Sequence, residues 1–165
     1  VNAGVNHSVK VSGTGSGKVI AELYDSGPNP AENATVPRLL NVSVLKQLGD
    51  GLTVGFSITG TSPVKILVRA VGPRLIEPPF NIADAVRDPR LVLYRGATRI
   101  ALNDNWNPSG GSAMGNAFRT VGAFLLSSYS KDAALLTTLT PGNYTAQVSA
   151  TGGNGMVLVE VYEVP

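Results

Sequence analysis

An all-β fold, an antiparallel β-sandwich of Ig-like or jelly-roll-like form, is what three features of this 165-residue sequence predict. The first is alternation. Leu52, Val54, Phe56 and Ile58 alternate with Thr53, Gly55, Ser57 and Thr59, and Tyr144, Ala146, Val148 and Ala150 alternate with Thr145, Gln147 and Ser149. That period of two lays apolar groups along one face of a half-buried strand. The second is turn chemistry: Gly49-Asp50-Gly51, Gly60-Thr61-Ser62-Pro63, Arg95-Gly96, Pro141-Gly142-Asn143 and residues 151–155 separate the runs. Short strands divided in this way are the pattern of sandwiches and barrels. The third is composition: 19 glycines and 11 prolines against 15% charged residues suit many turns rather than long solvated helices.

Taken in order, residues 1–25 read as an N-terminal β-hairpin. Residues 26–37, SGPNPAENATVP, read as a Pro-rich linker, and residues 38–165 as the sandwich module. Residues 64–71, 91–94 and 156–162 are apolar on both faces, as expected of interior strands covered on each side or strands at an interface. One short helix is expected within residues 112–125. There Met114, Phe118, Val121 and Leu125 fall at i, i+4, i+7 and i+11, while Gly115 and Gly122 limit it to two or three turns. With Val1 first and no charged-then-apolar leader, the chain reads as processed or excerpted.

An internal repeat organises the ends. Residues 7–15 align with 144–152 at a shift of 137, and residues 17–25 with 155–163 at a shift of 138. Eight of nineteen positions are identical: Val11/Val148, Ser12/Ser149, Thr14/Thr151, Gly15/Gly152, Gly17/Gly155, Val19/Val157, Glu22/Glu160 and Tyr24/Tyr162. Strand parity is kept, so both copies present the same face inward, and the length change falls in the Gly-rich turn. The expected arrangement is an N-terminal hairpin that duplicates the C-terminal hairpin. It closes a preceding unit of a tandem array, completes a neighbouring chain by strand exchange, or packs onto its own domain as extra strands. Val9, Val11, Val19, Ala21 and Leu23 would form its buried, subunit-linking face.

Composition excludes much chemistry. With no cysteine there is no disulfide, thiol nucleophile or Cys-based zinc site, and one histidine leaves no His-rich metal site. No apolar run reaches the ~18–20 residues of a membrane span. A net charge of +2 is too small to predict nucleic-acid binding. Residues 13–18, GTGSGK, imitate a phosphate loop but lack its first glycine and its terminal Ser/Thr, and read as a turn. His7 aligns with Tyr144, a ring for a ring, which suggests packing. Serines are plentiful but none lies in a G-x-S-x-G elbow. Asn103-Asp104-Asn105 offers oxygens for Ca²⁺, although Asx-turn chemistry explains the same residues. No enzyme, cofactor or bound metal is expected.

Seven cations (Lys65, Arg69, Arg74, Arg87, Arg90, Arg95 and Arg99) face three acids in residues 65–99. They read as solvated strand edges, or alternatively as a basic face for an acidic polysaccharide or the acidic end of a neighbouring unit. In the glycan-binding alternative, Trp106 and Tyr94 would stack on sugars beside Arg95 and Arg99. A lone Trp in a sandwich is also a common core anchor.

The succession RLLNVSV (38–44), VKILVRAVGP (64–73), DPRLVLY (88–94), IALNDNW (100–106), VGAF (121–124), KDAALLTTL (131–139), PGNYTAQVS (141–149) and LVEVYE (158–163) resembles a known class. It is similar to the β-sandwich repeat modules, about 130–140 residues long, of large secreted or cell-surface proteins of environmental bacteria. The C-terminal half is more loosely similar to the bacterial pre-peptidase C-terminal domain. The resemblance implies an extracellular or cell-surface stalk, adhesion or attachment module and supplies no catalytic residues. The expected function is therefore structural: a module or subunit that links end to end through its N-terminal hairpin into a stalk, fibre or filament. Its expected partners are neighbouring copies of itself and extracellular polysaccharide, with no nucleic acid and no membrane span.

Overall fold

A computed structural model describes residues 7–15, 17, 19–25, 39–106 and 111–165. The chain divides into two units, Val1–Leu40 and Asn41–Pro165. The second holds β1 (Asn41–Gln47), β2 (Leu52–Ile58), β3 (Val64–Val71), α1 (Pro73–Ile76), β4 (Pro89–Arg95), β5 (Thr98–Asn103), α2 (Gly111–Thr120), β6 (Ala133–Leu139), β7 (Gly142–Ala150) and β8 (Met156–Val164).

Eight strands form two four-stranded sheets, ordered β1-β8-β3-β6 and β2-β7-β4-β5. All strand neighbours are antiparallel. Apart from the β4–β5 hairpin, each connection crosses from one sheet to the other. That is jelly-roll connectivity, which decides between the two sandwich forms the sequence allows.

The alternating runs become β2 and β7 as expected, with Val54, Ile58, Tyr144, Ala146 and Val148 buried and Thr53, Gly55, Ser57, Gln147 and Ser149 exposed. Their inner faces meet Ile66, Val68, Ala70, Val157, Val159 and Val161 of the opposite sheet in the main core. The strands apolar on both faces are explained by a third layer. Leu67, Val71, Ala134, Tyr162 and Val164 point away from the sandwich and pack under Leu75, Trp106, Ala117, Phe118, Ala123 and Leu126. The first sheet is therefore covered twice. In β4 the pattern is simpler: Leu91 and Leu93 are buried, while Val92 and Tyr94 on the outer face are half-buried.

Helix α2 is shorter than the 112–125 window. It ends where Gly122 turns left-handed at φ +72°, with Gly122 N donating to Arg119 O (3.2 Å) and Ala123 N to Phe118 O (2.8 Å). Those two bonds make a Schellman cap, and they place Leu125 beyond the helix. The single turn of α1 is an addition to the expected elements.

The C-terminal pair corrects the hairpin expectation. β7 pairs with β2 and β4, and β8 pairs with β1 and β3, so the two lie in different sheets and are joined by an arch. Gly152 and Gly153 turn it at φ +83° and +151°. Period-two alternation fixes which face is buried but not which strand lies alongside. The described residues among 7–25 form no strand. A sequence that duplicates β7–β8 has no reason to pair with itself, and a lone two-stranded ribbon is marginal in water. Among the described residues, both sheets are built from residues 41–164. The linker at 26–37 lies outside the described residues.

Candidate functional site

The linking face proposed from sequence is solvent-exposed. Val9, Val11, Val19 and Leu23 are 75%, 55%, 67% and 55% exposed, and Ala21 is exposed with them. Ile20 and Tyr24, of opposite parity, are also exposed. Leaving aliphatic side chains in water forgoes ~1.5–3 kcal/mol each, so this cluster gains from any surface that covers it. Within the segment, Tyr24 donates to Glu22 Oε1 at 3.0 Å and Leu39 N donates to Asp25 Oδ2 at 2.9 Å.

The glycan-binding set does not assemble as expected. Trp106 is buried, packs on Phe118 at 5.5 Å between ring centroids and donates its indole N–H to Ser127 O at 3.0 Å. It is a core anchor of the third layer and offers no sugar platform. Tyr94 and Arg99 do come together as register partners on the outer face at one end of the second sheet, while Arg95, paired with Thr98, stands on the opposite face. The row continues through Thr145 of β7 to Gly55 of β2 on the same outer face. Arg95 is held by Thr140 Oγ1 (3.1 Å) and Pro141 O (3.2 Å). It borders a shallow recess of about 360 Å³ lined by Thr98, Ile100, Thr138, Thr140 and Tyr144. The four strands of this sheet contain Arg90, Arg95 and Arg99 and no acidic residue.

The densest polar site is one that sequence reading missed. Arg69 is 0% exposed, so its place among solvated cations is corrected. It stands on the outer face of β3, where Arg69 is the register partner of Glu160, and Glu160 in turn of Ser43. Its Nε lies 2.9 Å from Glu160 Oε2 in a pair whose side chains are 0% and 5% exposed. Nη1 donates to Phe124 O at 2.6 Å, while Nη2 has no hydrogen-bond partner. The guanidinium lies 4.7 and 4.3 Å from the ring centroids of Phe118 and Phe124, a desolvated cation–π arrangement. Tyr162 donates to Glu160 Oε1 at 2.7 Å and Ser43 approaches the same oxygen at 3.5 Å.

Burial pulls the Arg69 pKa below its ordinary value, against the opposing pull of Glu160. Burial and the adjacent Glu160 carboxylate push Tyr162 up. Nearby, the buried carboxylate of Asp132 accepts from Gly72 N (2.8 Å), Arg74 N (3.3 Å) and Ser130 Oγ (2.5 Å). Its pKa is raised by burial, with those hydrogen bonds opposing. The network ties β1, β3 and β8 to the layer above them. Arg69, Asp132, Glu160 and Tyr162 are all buried in it.

The remaining cations scatter. Arg74 meets Glu77 at 3.4 Å and lies over Phe80, Lys131 pairs with Asp88 at 2.6 Å, and Arg87, Arg90 and Arg99 are exposed. At the candidate calcium loop, Asn103 Oδ1 accepts from Ala134 N at 3.0 Å and its Nδ2 donates to Asn105 O at 2.9 Å. Both polar atoms of the Asn103 side chain are thus engaged by backbone groups at the strand end. Among the described residues no cluster of three metal-ligating side chains occurs, and no helix is long and apolar enough to cross a membrane.

No family model and no curated protein matches the sequence. Among solved structures, the chain is similar to the pre-peptidase C-terminal domain of a collagenase from Bacillus anthracis. The TM-score is 0.43 at 15% identity, covering 74% of this chain and 89% of that one. A likeness so distant assigns no family.

Proposed function

We propose that this protein is an extracellular structural module that links end to end, through residues 1–25, into a stalk, fibre or filament. One observation carries the reading: residues 7–25 repeat the sequence of β7–β8, yet the described residues among them contribute to neither sheet and leave Val9, Val11, Val19 and Leu23 in water. A segment with the pattern of core strands and no core of its own suits a joint. The placement outside the cell rests on the resemblance of the motif succession to secreted repeat modules. Its partners are neighbouring modules of the same kind, joined as tandem repeats or by strand exchange. Removing residues 1–27 tests the role: electron microscopy of the native assembly should show the polymer shortened to single modules, and an unchanged length distribution refutes it.

A second reading, glycan binding, is favoured by the acid-free outer face of the β2-β7-β4-β5 sheet, with Arg90, Arg99 and Tyr94 on it. Trp106 has no part in it. Retention on an acidic polysaccharide column, lost in Arg90→Ser/Arg99→Ser, would support this reading. Equal elution of both proteins would end it.

A further inference from the structure

We infer that residues 7–25 occupy the two interior seats of β7 and β8 in another jelly roll of this same kind, contributing one strand to each sheet, and that Glu22 is the counter-ion of that module's equivalent of Arg69. This deepens the linking reading, on which it rests, by naming the partner surface.

The repeat keeps identities that have a structural cause in the resident copy and none in the exposed one. In the resident copy, Gly155 has a structural cause: a Cβ there would lie 2.3 Å from Asp84 O and 2.8 Å from Val86 N. The 84–86 segment passes too close for any other residue, because Met156 N donates to Asp84 O and Val86 N donates to Met156 O. Gly17 is the aligned glycine, and a Cβ there would meet nothing within 4 Å. Glu160 and Tyr162 likewise have a cause, since they complete the shell of a buried arginine. Their counterparts Glu22 and Tyr24 make the same carboxylate–phenol contact in solvent, at 3.0 Å against 2.7 Å. Three residues of the exposed copy thus match demands that only the interior seats of β7–β8 impose.

The apolar positions agree. Val9 and Val11 align with Ala146 and Val148, which face the core from the second sheet. Val19, Ala21 and Leu23 align with Val157, Val159 and Val161, which face it from the first. Addition of the segment to an outer sheet edge satisfies none of the three polar and glycine matches. An edge position has no β1 on one side and β3 on the other, so it brings no Ser43–Glu–Arg row together. A complete eight-stranded module has no vacant interior seat, so the acceptor is one that presents β1–β6 with those two seats open.

A graft tests this in the full chain. Residues 144–163 are replaced by a second copy of residues 7–25, leaving every other residue in place. A companion graft carries His7→Tyr and Ala21→Val within the inserted copy, restoring the ring of Tyr144 and the side chain of Val159. The expected result is cooperative thermal unfolding of at least one graft. On that graft, Glu22→Gln in the inserted copy should lower the midpoint by about as many degrees as Glu160→Gln does in the parent chain. Two results overturn the inference: neither graft unfolds cooperatively, or a folded graft is indifferent to Glu22→Gln. Neither outcome touches the truncation experiment, so failure of the seat assignment is distinguishable from failure of the linking role.

Discussion

Glu160→Gln isolates the energetics of the buried pair, because glutamine keeps the shape and an oxygen for Tyr162 while removing the charge. Arg69 has no exposed surface, and Glu160 at 2.9 Å is its ion-pair partner. Two unit charges ~3–4 Å apart attract by about 4–6 kcal/mol at an effective dielectric near 20. Phe124 O and the rings of Phe118 and Phe124 remain after the change and retain part of the stabilisation. The expected loss is therefore about 3–5 kcal/mol, the usual result of orphaning one member of a buried pair. Against a typical domain stability of ~5–15 kcal/mol, that is a large fraction. Arg69→Met with Glu160→Gln removes both charges and should be less destabilising than the sum of the single changes, by at least about 2 kcal/mol. Urea denaturation of all four proteins, followed by far-UV circular dichroism, measures the cycle. Additive single changes, with coupling under about 0.5 kcal/mol, would refute the claim that the two charges act as a buried pair.

Three further expectations rest on the same packing. Gly155→Ala forces the 84–86 segment away from β8 and should lower stability by about 1–3 kcal/mol, whereas a change under about 0.5 kcal/mol would contradict the close approach. Burial holds the Asp132 pKa above its unfolded value, so the stability this group contributes is full below the unfolded pKa and is lost as pH rises through the folded one. Relative to the native chain, Asp132→Asn should accordingly gain stability from about pH 4 upward, and urea midpoints that run parallel across pH would exclude this. Trp106 is the sole tryptophan, and its burial under the third layer predicts weak acrylamide quenching that rises sharply on unfolding; strong quenching of the folded protein would place it elsewhere.

Much of the fold was legible because strand periodicity reports burial directly. Residues 52–58 and 144–150 alternate since each has one covered face, and residues 64–71 and 156–162 do not since α2 and its flanking loops cover the far side of the first sheet. Sheet membership was not legible, and the β7–β8 arch passed for a hairpin because Gly-rich connections serve both. The buried pair was hidden for a related reason: an arginine in a strand ordinarily reads as solvated. The signal lay in parity. Arg69 and Glu160 each stand within a run apolar on both faces, where any outward charge must also be covered. Trp106 shows the reverse case, an aromatic residue beside polar neighbours whose chain position gives no hint of the layer above it.

Backbone amide hydrogen exchange of residues 7–25 in the assembled protein tests the central claim most directly. Protection of residues 9–11 and 19–23 comparable with that of Ala146–Val148 and Val157–Val161 in the same sample is expected, because all four stretches would lie in interior strands. Exchange of residues 7–25 at the rate of an unstructured peptide, in material that is nonetheless polymerised, would contradict it.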